Sequence, residues 1–286
     1  MEKFQIFIQL TRLNKPIGFL LLFWPCAWGL SLAYYFNGDK ILYIKHLFLF
    51  FLGAVLMRSA GCIVNDIVDR NLDRKVERTK KRPIAAKKIS VTAALAYVFF
   101  LCLIALSILL QFNSLTIILG MSSMILAFAY PFMKRITYWP QFFLGLTFNW
   151  GIIMGWTSIS NDLSLEPIVL YLAAIFWTLG YVTVYGLQDI KDDEIIGVKS
   201  TSIKFKNNVK VFVGSCYILC ILLILTLSLM IEINKYIYIF SSFFMLTMIY
   251  QIKIFEVNNP ASCLKAFKVN NLTGIFIFLF IFSFQI

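Results

Sequence analysis

The chain has 286 residues, is 60% hydrophobic and only 14% charged, and carries a formal net charge of +12. Soluble domains average about 45–50% apolar and about 25% charged residues, so this apolar excess cannot fold into one soluble core. That excludes an ordinary soluble enzyme and points to an all-α, polytopic membrane protein.

The opening Met1-Glu2-Lys3-Phe4 leads into a polar stretch from Thr11 to Lys15, and no removable signal peptide is expected there. About 20 mainly apolar residues cross a bilayer as a helix. Nine segments meet that need: 16–36, 43–64, 89–111, 114–133, 138–160, 166–188, 209–231, 234–252 and 267–286. The last is the weakest, because Asn270, Asn271 and Gly274 interrupt it. Residues 65–88 and 189–208 read as loops or caps between spans, and residues 1–286 as a single integral-membrane domain.

Lysine and arginine set the orientation. With the N-terminus inside, 22 of the 26 basic residues fall on the cytoplasmic side, nine of them between Arg70 and Lys88. Arg58 lies within the second span, and only Lys40, Lys45 and Lys235 face outward. The positive charge is therefore a topology signal, suited to anionic headgroups or substrates. No basic face belongs to a soluble domain, so nucleic acid is not an expected partner. The six cysteines show no CxxC spacing and read as small hydrophobes rather than disulfides or zinc ligands. His46, the sole histidine, lies near an external helix start and reads as interfacial.

Two acidic clusters stand out against this background. The first is Asn65-Asp66-Ile67-Val68-Asp69-Arg70-Asn71-Leu72-Asp73, the second Asp189-Ile190-Lys191-Asp192-Asp193. Both lie where an apolar span meets the cytoplasmic side, and ionisable residues at membrane depth are costly enough to mark function. If the second span continues as a helix, Asp69, Asp73 and Asp66 fall about 40°, 80° and 100° from Asn65, in one quadrant shared with Arg58. In the second cluster, Asp189 and Asp193 are i, i+4 neighbours, with Tyr185 one turn earlier. Carboxylates gathered this way repel one another, and Mg²⁺, which binds carboxylates together with substrate phosphates, removes that repulsion. Two clusters on separate helices suit one diphosphate held between two Mg²⁺ ions, with Arg58, Arg78, Arg82 and Lys199 as donors to phosphate oxygens. The competing class is a transporter, whose site commonly lies near the bilayer centre on broken helices. Here the acids sit at the edge of spans that read as continuous.

The runs NDIVDRNLD followed by RTKKRPI, and YGLQDIKDDEIIGVKS, resemble the two signatures of the UbiA superfamily of intramembrane prenyltransferases. The likeness extends along nearly the whole chain, including RLNKPIGFLLLFWPCAWGL, although Asn14 stands where relatives often carry Asp. YPFMKRITYWPQFFLGLTFNW is similar to the corresponding segment of the branch that prenylates 4-hydroxybenzoate in ubiquinone synthesis. The resemblance implies a nine-helix bundle with a central cavity capped by cytoplasmic loops, in the bacterial inner (plasma) membrane. It also implies Mg²⁺-dependent transfer of a polyprenyl group from its diphosphate to an aromatic acceptor, with no obligate protein partner. By motif, Asn65, Asp66, Asp69 and Asp73 would form the first metal–diphosphate site, and Asp189 and Asp193 the second. Tyr130 and Lys134 match the family's Y-x-x-x-K pattern beside the prenyl diphosphate, and Arg135 the arginine that pairs with the acceptor carboxylate. Asp193 and Asp73 are both candidates for the general base. Phe148, Trp150, Tyr181 and Tyr185 are candidates to shield an allylic cation, against a competing role in packing.

Overall fold

A computed structural model describes residues 2–231 and 236–285. Within them the chain is helical, with no strand. In order come α1 (Glu2–Thr11), α2 (Ile17–Asn37), α3 (Lys40–Asp73), α4 (Val91–Leu109), α5 (Ser114–Ile136), α6 (Pro140–Ser160) and α7 (Leu165–Gly186). The short α8 (Ile190–Ile196) and α9 (Thr201–Lys204) follow, then α10 (Val209–Met230), α11 (Tyr236–Ile254) and α12 (Pro260–Phe282). Eight of the nine expected spans coincide with long helices, and 234–252 overlaps α11, its first two residues lying outside the described ones. Eight helices are long and apolar enough to cross a membrane, and a shorter apolar helix covers Tyr238–Ile254. Lys235 lies outside the described residues.

The helix ends follow local chemistry. Asp39, Ser90, Asn113 and Asn259 cap α3, α4, α5 and α12, each side chain accepting from a backbone N–H three residues on. Gly38 closes α2 at φ +67°, a left-handed conformation that suits glycine. Between Asp39 and the acidic cluster nothing stops α3, and its 34 residues run about 51 Å at 1.5 Å per residue. A hydrocarbon core is about 30 Å thick, so α3 is long enough to reach past it, with the first acidic cluster on its last turns. His46, in the second turn of this helix, is buried, with Nδ1 3.2 Å from Ser158 Oγ.

Close backbone approach sets the centre of the bundle. A Cβ on Gly29 would stand 2.0 Å from the Ile152 carbonyl oxygen, and one on Gly155 would stand 2.4 Å from that of Cys26. Helices α2 and α6 therefore cross with their backbones almost touching, as small residues permit in membranes. A polar lock joins α7, α10, α11 and α12. Trp177 Nε1 donates to Asn270 Oδ1 at 2.9 Å, while Asn270 Nδ2 and Tyr217 Oη donate to Gln251 Oε1 at 2.9 and 2.6 Å. Trp24 Nε1 donates to Asn271 Oδ1, and the Trp24 ring packs over Gly274. The residues that weaken the last span in the sequence are thus the ones that fasten it, and α12 begins at Pro260 rather than near 267.

Gly155→Leu is expected to destabilise the bundle by about 1–3 kcal/mol or to abolish folding, as overpacking does. Gly214→Ala, whose added Cβ would have its nearest neighbour at 3.9 Å, is expected to leave stability unchanged. Thermal unfolding in detergent, followed by size-exclusion chromatography, separates the two.

Candidate active site

The first acidic cluster is almost sealed from solvent: Asp66 and Asp69 are 1% exposed and Asp73 is 6% exposed. Each carboxylate meets cations from other elements. Asp66 Oδ1 accepts from Arg12 Nη2 at 2.5 Å and from Arg82 Nη1 at 3.0 Å. The same Arg82 nitrogen donates to Asp73 Oδ2 at 2.8 Å. Asp69 Oδ2 takes the Lys134 ammonium, and Asp69 Oδ1 accepts from Arg135 Nη2 at 3.3 Å. Arg135 Nη2 also donates to the Val68 carbonyl at 3.1 Å.

The second cluster is built differently. Helix α7 ends at Gly186, where a Cβ would lie 2.4 Å from Ser202 Oγ, and a 3₁₀ turn at Leu187–Asp189 precedes α8. The single helical face expected through Tyr185, Asp189 and Asp193 is therefore broken at Asp189. Arg78 forks onto that carboxylate, Nε to Oδ1 at 2.7 Å and Nη2 to Oδ2. Its guanidinium also lies over the Tyr185 ring, 5.7 Å from the centroid. Burial works against the Arg78 charge, but the Asp189 hydrogen bonds and the Tyr185 hydroxyl outweigh it, and the pKa stands above its ordinary value.

Both clusters are reached by one strap, residues 74–90. Val76, Thr79, Ile84 and Ala85 are buried and fasten it. Thr79 Oγ1 donates to the Asp73 carbonyl at 3.2 Å and Arg74 Nε to the Ala85 carbonyl at 3.0 Å. The strap sends Arg82 to the first cluster and Arg78 to the second, and the Glu77 N–H donates to Asp192 Oδ2 at 3.2 Å.

Some polar atoms are left over. Asp66 Oδ2 is buried without a hydrogen-bond partner, and among the described residues the side chains of Asp193 and Asn65 have none either. Among the described residues no three His, Cys, Asp or Glu side chains group closely enough to hold a metal alone. A hard cation of the Mg²⁺ type needs only one or two carboxylates when phosphate and water complete its shell, so these spare oxygens fit it.

Other expected residues take different places. Lys199 Nζ donates to the Ile136 carbonyl at 3.1 Å, closing the end of α5. Arg58 lies deeper, 5.3 Å from the Phe148 ring centroid, with its Nε buried and unpartnered. Tyr130 and Tyr181 are within electrostatic reach of it. The Tyr181 hydroxyl is also buried without a partner. Trp150 is committed to packing, its Nε1 donating to the Leu119 carbonyl at 2.9 Å. Arg12 opens the run RLNKPIGFLLLFWPCAWGL, yet no site role attaches to it in the sequence. Its one sequence signal is its place just ahead of Asn14-Lys15-Pro16, where the first span begins.

The sequence profile described as the UbiA prenyltransferase family matches residues 22–280. The chain belongs to this family and is an integral membrane protein. A mitochondrial 4-hydroxybenzoate polyprenyltransferase of Arabidopsis thaliana is 44% identical over 212 residues, covering 74% of this chain and 52% of that protein. This chain thus spans about half of that relative. A 4-hydroxybenzoate octaprenyltransferase of Pseudomonas aeruginosa is 39% identical over 275 residues, covering 96% of this chain and 91% of that one. Among solved structures, the apo form of a UbiA homolog from Aeropyrum pernix superposes with a TM-score of 0.78 at 20% identity, covering 93% of this chain and 98% of that one. A UbiA homolog from Archaeoglobus fulgidus bound to GPP and Mg²⁺ superposes with a TM-score of 0.72 at 18% identity, covering 98% of this chain and 99% of that one. At such identities the likeness speaks for the fold.

Arg78→Ala is expected to free the strap from the second cluster. Trypsin should then cleave within residues 74–88 about tenfold faster or more, because local opening there no longer breaks a bidentate ion pair. Lys80→Ala, which loses only an exposed contact with Glu77, should leave the rate unchanged. Timed digestion read by mass spectrometry checks both.

Proposed function

We propose that this chain transfers a polyprenyl group from polyprenyl diphosphate to the ring carbon ortho to the hydroxyl of 4-hydroxybenzoate, releasing diphosphate, in ubiquinone biosynthesis. The observation that carries this reading is the strap that gives each of two acidic clusters its own guanidinium, in a chain 39% identical to a 4-hydroxybenzoate octaprenyltransferase over 96% of its length. Mg²⁺ is the proposed cofactor, with Asn65, Asp66, Asp69 and Asp73 offering one ligand set and Asp189 and Asp193 the other. The Archaeoglobus protein bound to GPP and Mg²⁺ supports that choice. Bound there, Mg²⁺ would neutralise the diphosphate and favour its departure.

The chain's own groups would do the rest. Arg78, Arg82 and Lys134 already stand beside the carboxylates and would donate to phosphate oxygens as their charge grows. Tyr130, one helical turn before Lys134, lies on the same side. The allylic C–O bond breaks with its electron pair going to the diphosphate, and the aromatic carbon supplies the pair for the new C–C bond. The proton released as the ring regains aromaticity needs a carboxylate. Asp73 is engaged by Arg82 and Asp193 is offered to the metal, and these two carboxylates are the proposed candidates for the base.

The acceptor's carboxylate needs a cation. Arg135 is engaged with Asp69 and the Val68 carbonyl. Arg58 pairs with no carboxylate among the described residues, and a shielded guanidinium without a counter-ion is unfavourable until an anion arrives. We therefore assign the acceptor carboxylate to Arg58 and keep Arg135 as a partner of Asp69. The basic-residue asymmetry supports an N-terminus and both clusters on the cytoplasmic side, and the likeness to the Pseudomonas aeruginosa protein over 96% of the chain supports a bacterial inner membrane. The whole of 1–286 is taken as one domain.

In purified protein, Asp69→Ala and Asp189→Ala are each expected to lower prenylation by about 100-fold or more while preserving the fold, as loss of transition-state charge stabilisation does. EDTA should stop turnover and Mg²⁺ restore it, with prenylated acid measured by mass spectrometry. Arg58→Ala should raise the acceptor KM about 10- to 100-fold, the worth of a charge-assisted hydrogen bond, with little change in the donor KM. A larger rise from Arg135→Ala would return the carboxylate to Arg135.

A further inference from the structure

Asp66 is deeply enclosed, and its two oxygens have different surroundings. Oδ1 accepts from both Arg12 and Arg82, while Oδ2 is buried with no partner. The two guanidiniums are not equivalent. Arg82 comes from the strap and divides one nitrogen between Asp66 and Asp73. Arg12 makes no other side-chain hydrogen bond among the described residues and is anchored on a different element, at the end of α1.

That anchor is firm. Leu10 and Thr11, just before Arg12, are buried. Leu10 packs with Ala60 and Ile63 of α3, Ile84 of the strap and Ala94 of α4. The Phe7 ring meets Tyr97 edge-on at 5.3 Å, and Thr11 Oγ1 donates to the Phe7 carbonyl at 2.8 Å. Arg12 itself turns the chain from α1 into α2 with φ +54°, and its carbonyl accepts from Lys15 N at 2.9 Å. A non-glycine residue keeps a left-handed backbone only where its surroundings hold it there.

We propose that Arg12 is a positioning residue of the diphosphate site, holding Asp66 Oδ1 from the fixed end of α1 so that Oδ2 remains the free ligand atom. This rests on the function proposed above. A diphosphate bears more charge than a single carboxylate and competes for Arg82, which then loosens its hold on Asp66. A carboxylate this buried is strongly disfavoured without a partner, and Arg12 is the partner that stays. It acts through Asp66 and touches neither substrate, so its loss should weaken the donor and spare the acceptor.

The test is calorimetric titration of the full chain in detergent with geranyl diphosphate and Mg²⁺, beside steady-state kinetics with 4-hydroxybenzoate. Arg12→Ala is expected to weaken geranyl diphosphate binding about 10- to 100-fold, the span of a charge-assisted hydrogen bond, with the acceptor KM within about twofold of wild type. Arg12→Lys should recover part of the loss by restoring charge without the fork. Asp66→Asn should also weaken binding, and adding Arg12→Ala to it should cost little more, because coupled residues are not additive. Wild-type binding by Arg12→Ala, full additivity with Asp66→Asn, or an equal rise in the acceptor KM would each overturn the proposal. Should Arg12→Ala not fold, Arg12→Gln keeps a donor without the charge and should still weaken binding about tenfold or more, and wild-type binding by it overturns the role equally. A wild-type chain that binds no geranyl diphosphate overturns the function proposed above and Arg12's role with it. Wild-type binding matched by the Arg12 variants overturns Arg12's role alone.

Discussion

Asp66, Asp69 and Asp73 lie nearly sealed at the end of one membrane-crossing helix, and buried carboxylates persist only with counter-charges and hydrogen bonds around them. That constraint organises this end of the molecule. Four cations answer it from three places: Arg12 from the turn between α1 and α2, Arg82 from the strap, and Lys134 and Arg135 from the end of α5. Elements far apart in the chain converge on α3 because their charges have nowhere better to go. The second cluster is answered more sparingly, by Arg78 and the Glu77 N–H. Its surplus of negative charge suits it to receive cationic help from outside the chain.

The apolar part of the bundle serves that arrangement by staying rigid. Helices α2 and α6 meet through glycines at backbone distance, where lipid gives no hydrophobic drive and close van der Waals contact is the available source of stability. The lock of Gln251, Asn270, Tyr217 and Trp177 is well satisfied internally, so it fixes how α11 and α12 dock without leaving a polar group stranded. Arg58, Tyr181 and Asn149 are the contrast. They hold buried polar atoms without partners, and in a well-packed interior such atoms are expected to have a use.

Much of this was legible in the residues. Eight membrane-crossing helices follow from runs of apolar side chains, and the acidic clusters from their placement at helix ends. What misread was local geometry under tertiary control. Tyr185, Asp189 and Asp193 have helical spacing, yet Gly186 packs against Ser202 and the helix gives way to a 3₁₀ turn. Asn270 and Asn271 look like interruptions because their partners, Trp177 and Trp24, lie 93 and 247 residues away. Lys199 donates to the Ile136 carbonyl at the end of α5, a contact its charge alone does not announce.

The sequence by itself determined the class of protein, its apolar helices and the residue types gathered at the ends of two of them. Those are properties of local composition and period, and transfer free energy acts on each segment almost independently. Only the tertiary structure decided which cation meets which carboxylate. Arg12 and Asp66 are 54 residues apart and Arg78 and Asp189 are 111 apart. An ion pair depends on distance in space, which no spacing along the chain records, and so Arg12 became visible only when α1 folded back against α3.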